Sequence, residues 1–191
     1  MATRRKKRNV GEEEQPKSRI NLNPIRRLFG SPQRHVEPYV TNGQVVADLG
    51  CGSGYYTLAL AECVGPEGWV YAVDLDDEAI RALEKGADRR GYHNIEAHAS
   101  SASDLSFIKD GSVDFVLANG LLCSMADHRQ SAVNEIRRIL KPRGQAYLSL
   151  GAPPPLGFVG RAEWEKILED FRVKRRGGSL QKWAVVSTKL R

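Results

Sequence analysis

Val45-Val46-Ala47-Asp48-Leu49-Gly50-Cys51-Gly52-Ser53-Gly54 is the stretch on which the reading of this 191-residue chain turns. Val45 to Leu49 is a short apolar run rich in β-branched side chains, the composition of a strand buried on both faces of a parallel sheet. Asp48 interrupts the run near its C-terminal end. In an open α/β sheet that end faces the ligand crevice, so a carboxylate there is placed for binding. Gly50, Gly52 and Gly54 follow at alternate positions and let the backbone turn tightly and approach a ligand where a Cβ would intrude. Leu58, Leu60, Ala61 and Val64 give residues 55–64 a helical apolar pattern, so the glycines join a strand to a helix. The dinucleotide fingerprint fails, because its third glycine would stand at Tyr55. The phosphate-loop pattern fails too, for want of a Gly-Lys-Ser/Thr.

Working outward, the chain is long enough for one domain that buries most of its apolar surface. No apolar run approaches the length of a membrane span, and the N-terminus lacks the apolar core of a secretory signal. Three cysteines, Cys51, Cys63 and Cys123, have no CxxC spacing; this suits a reduced, cytoplasmic compartment and argues against a metal site. The net charge of +6 is unevenly spread: residues 1–19 hold seven basic and three acidic side chains and so carry +4 of it. That segment has too few apolar residues to offset its ordering entropy and is expected to be a disordered basic tail. It reads first as a solubilising arm and second as an arm for nucleic acid or another anionic surface.

Residues 20–40 form an N-terminal appendage to the body at 20–191. A short amphipathic helix is expected after Pro24, on Ile25, Leu28 and Phe29, and a second element over 34–40. Beyond the glycines, strands are expected at 69–74, 94–99, 113–118 and 145–150. The intervening helices fall at 77–90 and from an Asp127 cap to 140, with the Leu-Lys-Pro-Arg-Gly run ending the latter. Trp164, Ile167, Leu168 and Phe171 predict one more helix, followed by a strand pair at 172–176 and 182–189. Asp74 closes the second strand 20 residues past Gly54. Its two oxygens can accept from both hydroxyls of a ribose, the role an acid plays at this place in nucleotide-type folds. Cys123 reads as a small buried hydrophobe.

Asp-x-Gly-x-Gly-x-Gly at 48–54 resembles motif I of the class I S-adenosylmethionine-dependent methyltransferases. Asn134-Glu135-Ile136-Arg137-Arg138-Ile139-Leu140-Lys141-Pro142-Arg143-Gly144 resembles the Glu-x-x-Arg-x-Leu-Lys-Pro-Gly-Gly stretch of their ubiquinone/menaquinone C-methyltransferase-like (type 11) subgroup, with Arg143 in place of the first glycine. The likeness covers about residues 40–191. It implies a Rossmann-like α/β fold: a mainly parallel seven-stranded sheet, helices on both faces and a C-terminal antiparallel hairpin. It implies S-adenosylmethionine as methyl donor, S-adenosylhomocysteine as product, and no metal. Asp48, Gly50, Cys51, Gly52 and Gly54 would form the loop against the methionine part and ribose. Asp74 would bind the ribose, and Leu75 would pack on the adenine face. Ser101 stands where the family usually carries an acid that reaches the adenine amino group, and Ala102 offers its backbone there. Asn119 would face the methyl group. It lacks the Pro-Pro-aromatic of nucleic-acid amino-methylating enzymes, and no Pro-Cys nucleophile stands near.

The resemblance therefore implies methyl transfer to a small-molecule acceptor. The alternatives are an RNA, DNA or protein methyltransferase that uses the basic tail, and a non-catalytic cofactor-binding module. Catalytic residues stay unassigned. His35, Tyr39 and His128 are candidates for a general base, required only if the acceptor must lose a proton.

Overall fold

The computed structural model describes residues 31–150, 159–178 and 181–189. A short helix α1 (Pro32–Val36) precedes β1 (Val45–Leu49), α2 (Thr57–Val64), β2 (Trp69–Asp74), α3 (Asp77–Asp88) and β3 (Ile95–Ala99). β4 (Val113–Asn119), α4 (Arg129–Ile139), β5 (Leu140–Ser149), α5 (Arg161–Glu169), β6 (Phe171–Gly177) and β7 (Trp183–Thr188) follow. The strands form one seven-stranded sheet in the order β3-β2-β1-β4-β5-β7-β6. The first five in that order are parallel, and β7 runs antiparallel to both β5 and β6. The sheet expected from the sequence, hairpin included, is the sheet observed.

Alternation along the strands sorts the core into two layers. Val46, Val70, Phe115, Leu117, Tyr147 and Val185 meet α1 and α2 through Val36, Leu60 and Val64. Ala72 on the same face meets Ile80 and Leu83 of α3. On the other face Leu49, Val73, Val116, Ala118, Ala146 and Val186 meet Val133 and Ile136 of α4 and Trp164 and Ile167 of α5. α3 shows why its sequence is helical: Asp76 caps it by accepting from the N–H groups of Glu78 and Ala79, satisfying donors that the first turn leaves open. Ile80, Leu83 and Ala87 then line its buried side.

Several boundaries differ from the sequence expectation. α2 begins at Thr57, after turns at 52–56, because positive-φ glycines at Gly52 and Gly54 delay the first helical residue. α4 starts after His128, which makes no side-chain cap bond, and Asp127 is not its cap. Phe171 opens β6 rather than closing α5, its ring still buried. β5 begins at Leu140, not Gln145: Leu140 pairs with Val113, then the register shifts so that Phe115 pairs with Gln145. The Lys-Pro-Arg-Gly run that reads as a helix stop is thus a bulge inside a strand. Arg143 sits in it at φ 71°, a left-handed conformation that explains the glycine usual there. At Gly144 an added Cβ would lie 2.9 Å from the Lys141 carbonyl oxygen.

The expected second appendage element is α1, beginning at Pro32. The tail at 1–19 and the expected helix after Pro24 lie outside the described residues.

Candidate functional site

Strand order reverses between β1 and β4: the chain steps outward from β1 to β2 and β3, then returns to β4 on the other side. Loops leaving the two strands part to opposite faces, which opens a crevice at their C-terminal ends. The glycine loop leaves β1 there, and Asn119 is the last residue of β4.

The loop is fastened from three sides. The N–H groups of Gly50 and Cys51 both donate to the Val73 carbonyl, at 2.8 and 3.1 Å. Asp74, closing β2, accepts the Gly52 N–H at 2.8 Å on one oxygen and the Asp76 N–H at 2.9 Å on the other. Asp48 is buried below the loop, and its carboxylate accepts the Thr57 hydroxyl at 2.6 Å. This ties β1 to the first turn of α2, so the glycines between them are held at both ends. Gly52 lies at φ 53°, and a Cβ there would meet no atom within 4 Å: its outer side faces open space. Gly54 is different: it lies at φ 89°, and a Cβ there would fall 2.4 Å from Leu83 Cδ1 of α3, so backbone conformation and packing both favour glycine. Burial first, then the carboxylates of Asp48 and Asp74, push the Cys51 thiol far above its usual range; it stays neutral.

Leu75, directly after Asp74, is 49% exposed at the C-terminal end of β2. Ser100 donates its N–H to the Asp74 carbonyl at 2.9 Å, which brings Ser101 and Ala102 beside the same strand end. The Ser101 hydroxyl lies 2.7 Å from that of Ser103, and Ala102 is buried. Across the crevice, Ser149 donates its hydroxyl to Asn119 Oδ1 at 2.5 Å while accepting the Gly120 N–H at 3.1 Å. Leu121 covers Gly50, whose added Cβ would lie 3.1 Å from Leu121 Cδ1. The residues expected to hold a nucleoside-type ligand thus converge on one crevice.

The three candidate bases do not converge. His128 is exposed at the start of α4. Tyr39 stacks on Phe115 at 5.5 Å, under the sheet face covered by α1. His35 packs between Tyr56 and Tyr147. Cys123 is buried, its thiol donating to the Gly120 carbonyl at 3.0 Å.

Two supports carry no sequence signal of their own. Arg129, buried at the start of α4, donates from Nε to the Leu122 carbonyl at 2.6 Å and pairs with Glu163 of α5. It holds the segment that leaves β4. Glu135 and Arg138 are visible as a motif but not in their role: Glu135 accepts the Leu105 N–H at 2.7 Å, and Arg138 reaches the carbonyls of Leu105 and Ile108 at 2.8 Å each. Together they clamp the loop between β3 and β4. Among the described residues no group of three His, Cys, Asp or Glu side chains could hold a metal ion, and no helix is long and apolar enough to cross a membrane.

Residues 46–144 match the family model described as a methyltransferase domain. A demethylmenaquinone methyltransferase of Geobacillus stearothermophilus is 34% identical over 120 residues, which are 62% of this chain and 50% of that protein. An arsenite methyltransferase of Aquipseudomonas alcaligenes is 33% identical over 120 residues, 60% of this chain and 34% of that one. The chain spans about half the length of the demethylmenaquinone methyltransferases it matches. Among solved structures, a SAM dependent methyltransferase from Aquifex aeolicus superposes with a TM-score of 0.68 at 24% identity, over 88% of this chain and all of that one (100%). A putative rRNA-methylase from Clostridium thermocellum gives 0.70 at 22% identity, over 84% and 94%. Both share this fold.

Proposed function

The chain belongs to the methyltransferase domain family, and we propose that it transfers a methyl group from S-adenosylmethionine to a small-molecule acceptor, with S-adenosylhomocysteine as product. The observation that carries this reading is the meeting of Asp74 with the middle of the glycine loop at the strand-order reversal. The residues present fit the donor. Asp74 uses one lone pair on each oxygen for backbone N–H groups and keeps the others for the two ribose hydroxyls. The open side of Gly52 admits a ligand against the backbone. Leu75 would cover an adenine face, Ser101 and Ala102 would meet its edge, and Asn119 would stand toward the methyl group.

S-adenosylmethionine, when bound, supplies a methyl group on a sulfonium, already a good leaving group. What remains for the protein is alignment. The backbone fastenings of Gly50, Cys51 and Gly52 keep the loop rigid. Ser149 fixes the Asn119 amide, and Arg129 holds the segment that follows it.

In the segment after β4, Leu122, Cys123 and Met125 belong to the core, while Leu121 is half-buried over the glycine loop and offers an apolar wall of the kind usual in small-ligand sites. The relatives named for demethylmenaquinone and arsenite support a small-molecule acceptor. Polyanion binding is less favoured, since residues 20–191 carry only +2. The exposed basic side chains of β6, Arg172, Lys174, Arg175 and Arg176, lie on the sheet's outer strand. Charges placed there block edge-to-edge pairing with other chains. In this reading the free cysteines Cys51, Cys63 and Cys123 suit the cytoplasm. Calorimetry with S-adenosylhomocysteine tests the site: micromolar-range binding is expected, and no binding contradicts the proposal.

A further inference from the structure

The +2 carried by residues 20–191 is a balance of two unlike parts: residues 20–170 carry −5 and residues 171–191 carry +7, with no acidic side chain among the latter. The hairpin of β6 and β7 thus holds the domain's basic excess. β6 alone places Arg172, Lys174, Arg175 and Arg176 within five positions, all exposed. One or two charges suffice to keep an edge strand from pairing, so that role does not account for a hairpin free of acids. Arg176 meets Glu165 of α5 at 2.9 Å. Arg172, Lys174 and Arg175 have no acidic partner among the described residues.

Register gives this surface its shape. Arg172 pairs with Ser187 and Arg175 with Val185, on the sheet face of the α1 and α2 core. Arg176 pairs with Ala184, on the face of α4 and α5, and Lys174 stands in the bulge between Val173 and Arg175. Cations therefore project from both faces of one outer strand, which makes it a basic ridge. Its C-terminal end is level with the crevice: Asn119 pairs with Ser149, Ser149 with Trp183, and Trp183 with Gly177. Three strand spacings put that end about 14 Å from Asn119.

The surroundings choose among anionic partners. A lipid surface is flat and is held by apolar insertion beside the charge; Val173, 38% exposed, is the one large apolar side chain that β6 exposes. A single strand of nucleic acid stacks its bases on exposed rings. The hairpin offers Phe171, which is buried, and Trp183, half-buried and stacked on Tyr147. A duplex needs neither. It lines both walls of a groove about 12 Å wide with phosphates, room enough for a β-ribbon, and it binds through neutralisation of those phosphates.

We propose that the β6–β7 hairpin is a docking surface for double-stranded nucleic acid, gripped at its phosphates by Arg172, Lys174, Arg175 and Arg176. The proposal concerns where the domain sits, not which atom it methylates, and so stands apart from the methyltransferase reading.

The test titrates the 191-residue chain into a fluorescent DNA duplex at several salt concentrations. The triple variant Arg172→Gln, Lys174→Gln, Arg175→Gln keeps residues 1–19, so any difference from wild type belongs to the hairpin. It is expected to lower the slope of log affinity against log salt by about 3, and to weaken duplex binding roughly a hundredfold at physiological salt. Binding to the separated strand and to phosphatidylserine vesicles is expected to change far less. No duplex binding by wild type, an unchanged slope in the triple variant, or a larger loss on vesicles or single strand than on duplex overturns the proposal. If the triple variant fails to fold, Arg175→Gln decides alone: its slope should fall by about 1, and an unchanged slope overturns the proposal. S-adenosylhomocysteine calorimetry on the same variants reports separately on the methyltransferase reading and is expected to match wild type.

Discussion

Asp74 Oδ2 accepts the backbone N–H of Gly52 at 2.8 Å, so the acid that ends β2 holds the middle of the loop that begins after β1. One carboxylate fastens the loop, and in the proposed reading it also faces the ribose. Asp74→Ala is expected to weaken S-adenosylhomocysteine binding roughly ten- to a hundredfold, about 1.5–3 kcal/mol for a charged double hydrogen bond. Calorimetry measures it, and an unchanged affinity would remove Asp74 from the site.

Gly52 combines a φ of 53° with open space where its Cβ would be. A valine there meets no clash within the protein, but it adopts a left-handed backbone at a cost of about 1–2 kcal/mol and projects into the crevice. Gly52→Val is expected to fold, melt a few degrees lower and lose S-adenosylhomocysteine binding. Normal binding by this variant would show that the loop is not the cradle.

The clamp of Glu135 and Arg138 makes a pH-dependent prediction. The Arg138 hydrogen bond, and then the Leu105 N–H, hold the Glu135 carboxyl below its ordinary value, against the opposing effect of burial. A carboxyl more acidic folded than unfolded stabilises the fold fully above the ordinary value of about 4.3. That contribution is lost as pH falls through the folded value. Glu135→Gln is therefore expected to lower the melting temperature at neutral pH, and the gap from wild type should close as the medium is acidified below that range. Thermal melts across the range check this; a gap constant with pH would contradict it.

Arg143 holds a left-handed conformation that glycine adopts freely, at φ 71° in the β5 bulge. Relief of that strain should outweigh the extra freedom glycine gains when unfolded, leaving about 0.5–1 kcal/mol of net stabilisation. Arg143→Gly is expected to melt about 1–4 °C higher. A lower melting temperature would mean that the Arg143 side chain contributes more than its backbone costs.

Where the physics is local, the sequence could be read. The β-branched runs at β1, β2 and β4 have one plausible burial, on both faces of a parallel sheet. The glycine loop has one plausible neighbour on each side. The position of Asp74 at the end of β2 was legible; its hold on the Gly52 and Asp76 N–H groups was not, because it needs the fold of the loop between β1 and α2. Long-range pairings were not. Leu140 joins β5 only because Val113 lies opposite it, and a Lys-Pro-Arg-Gly run looks like a stop until that partner is known. Asp48 also accepts the Thr57 hydroxyl, a contact the sequence does not show because it depends on where α2 begins. The burial of Arg129 and the unpaired nitrogen of His35 depend on several elements meeting, which no single stretch encodes.

The most direct test supplies the 191-residue chain with S-adenosylmethionine labelled in its methyl group, together with a cell extract separated afterwards into small molecules, RNA and protein. Label in the small-molecule fraction, absent with Asp74→Ala, is the expected result. Label confined to RNA or protein, or transferred to nothing, would contradict the account.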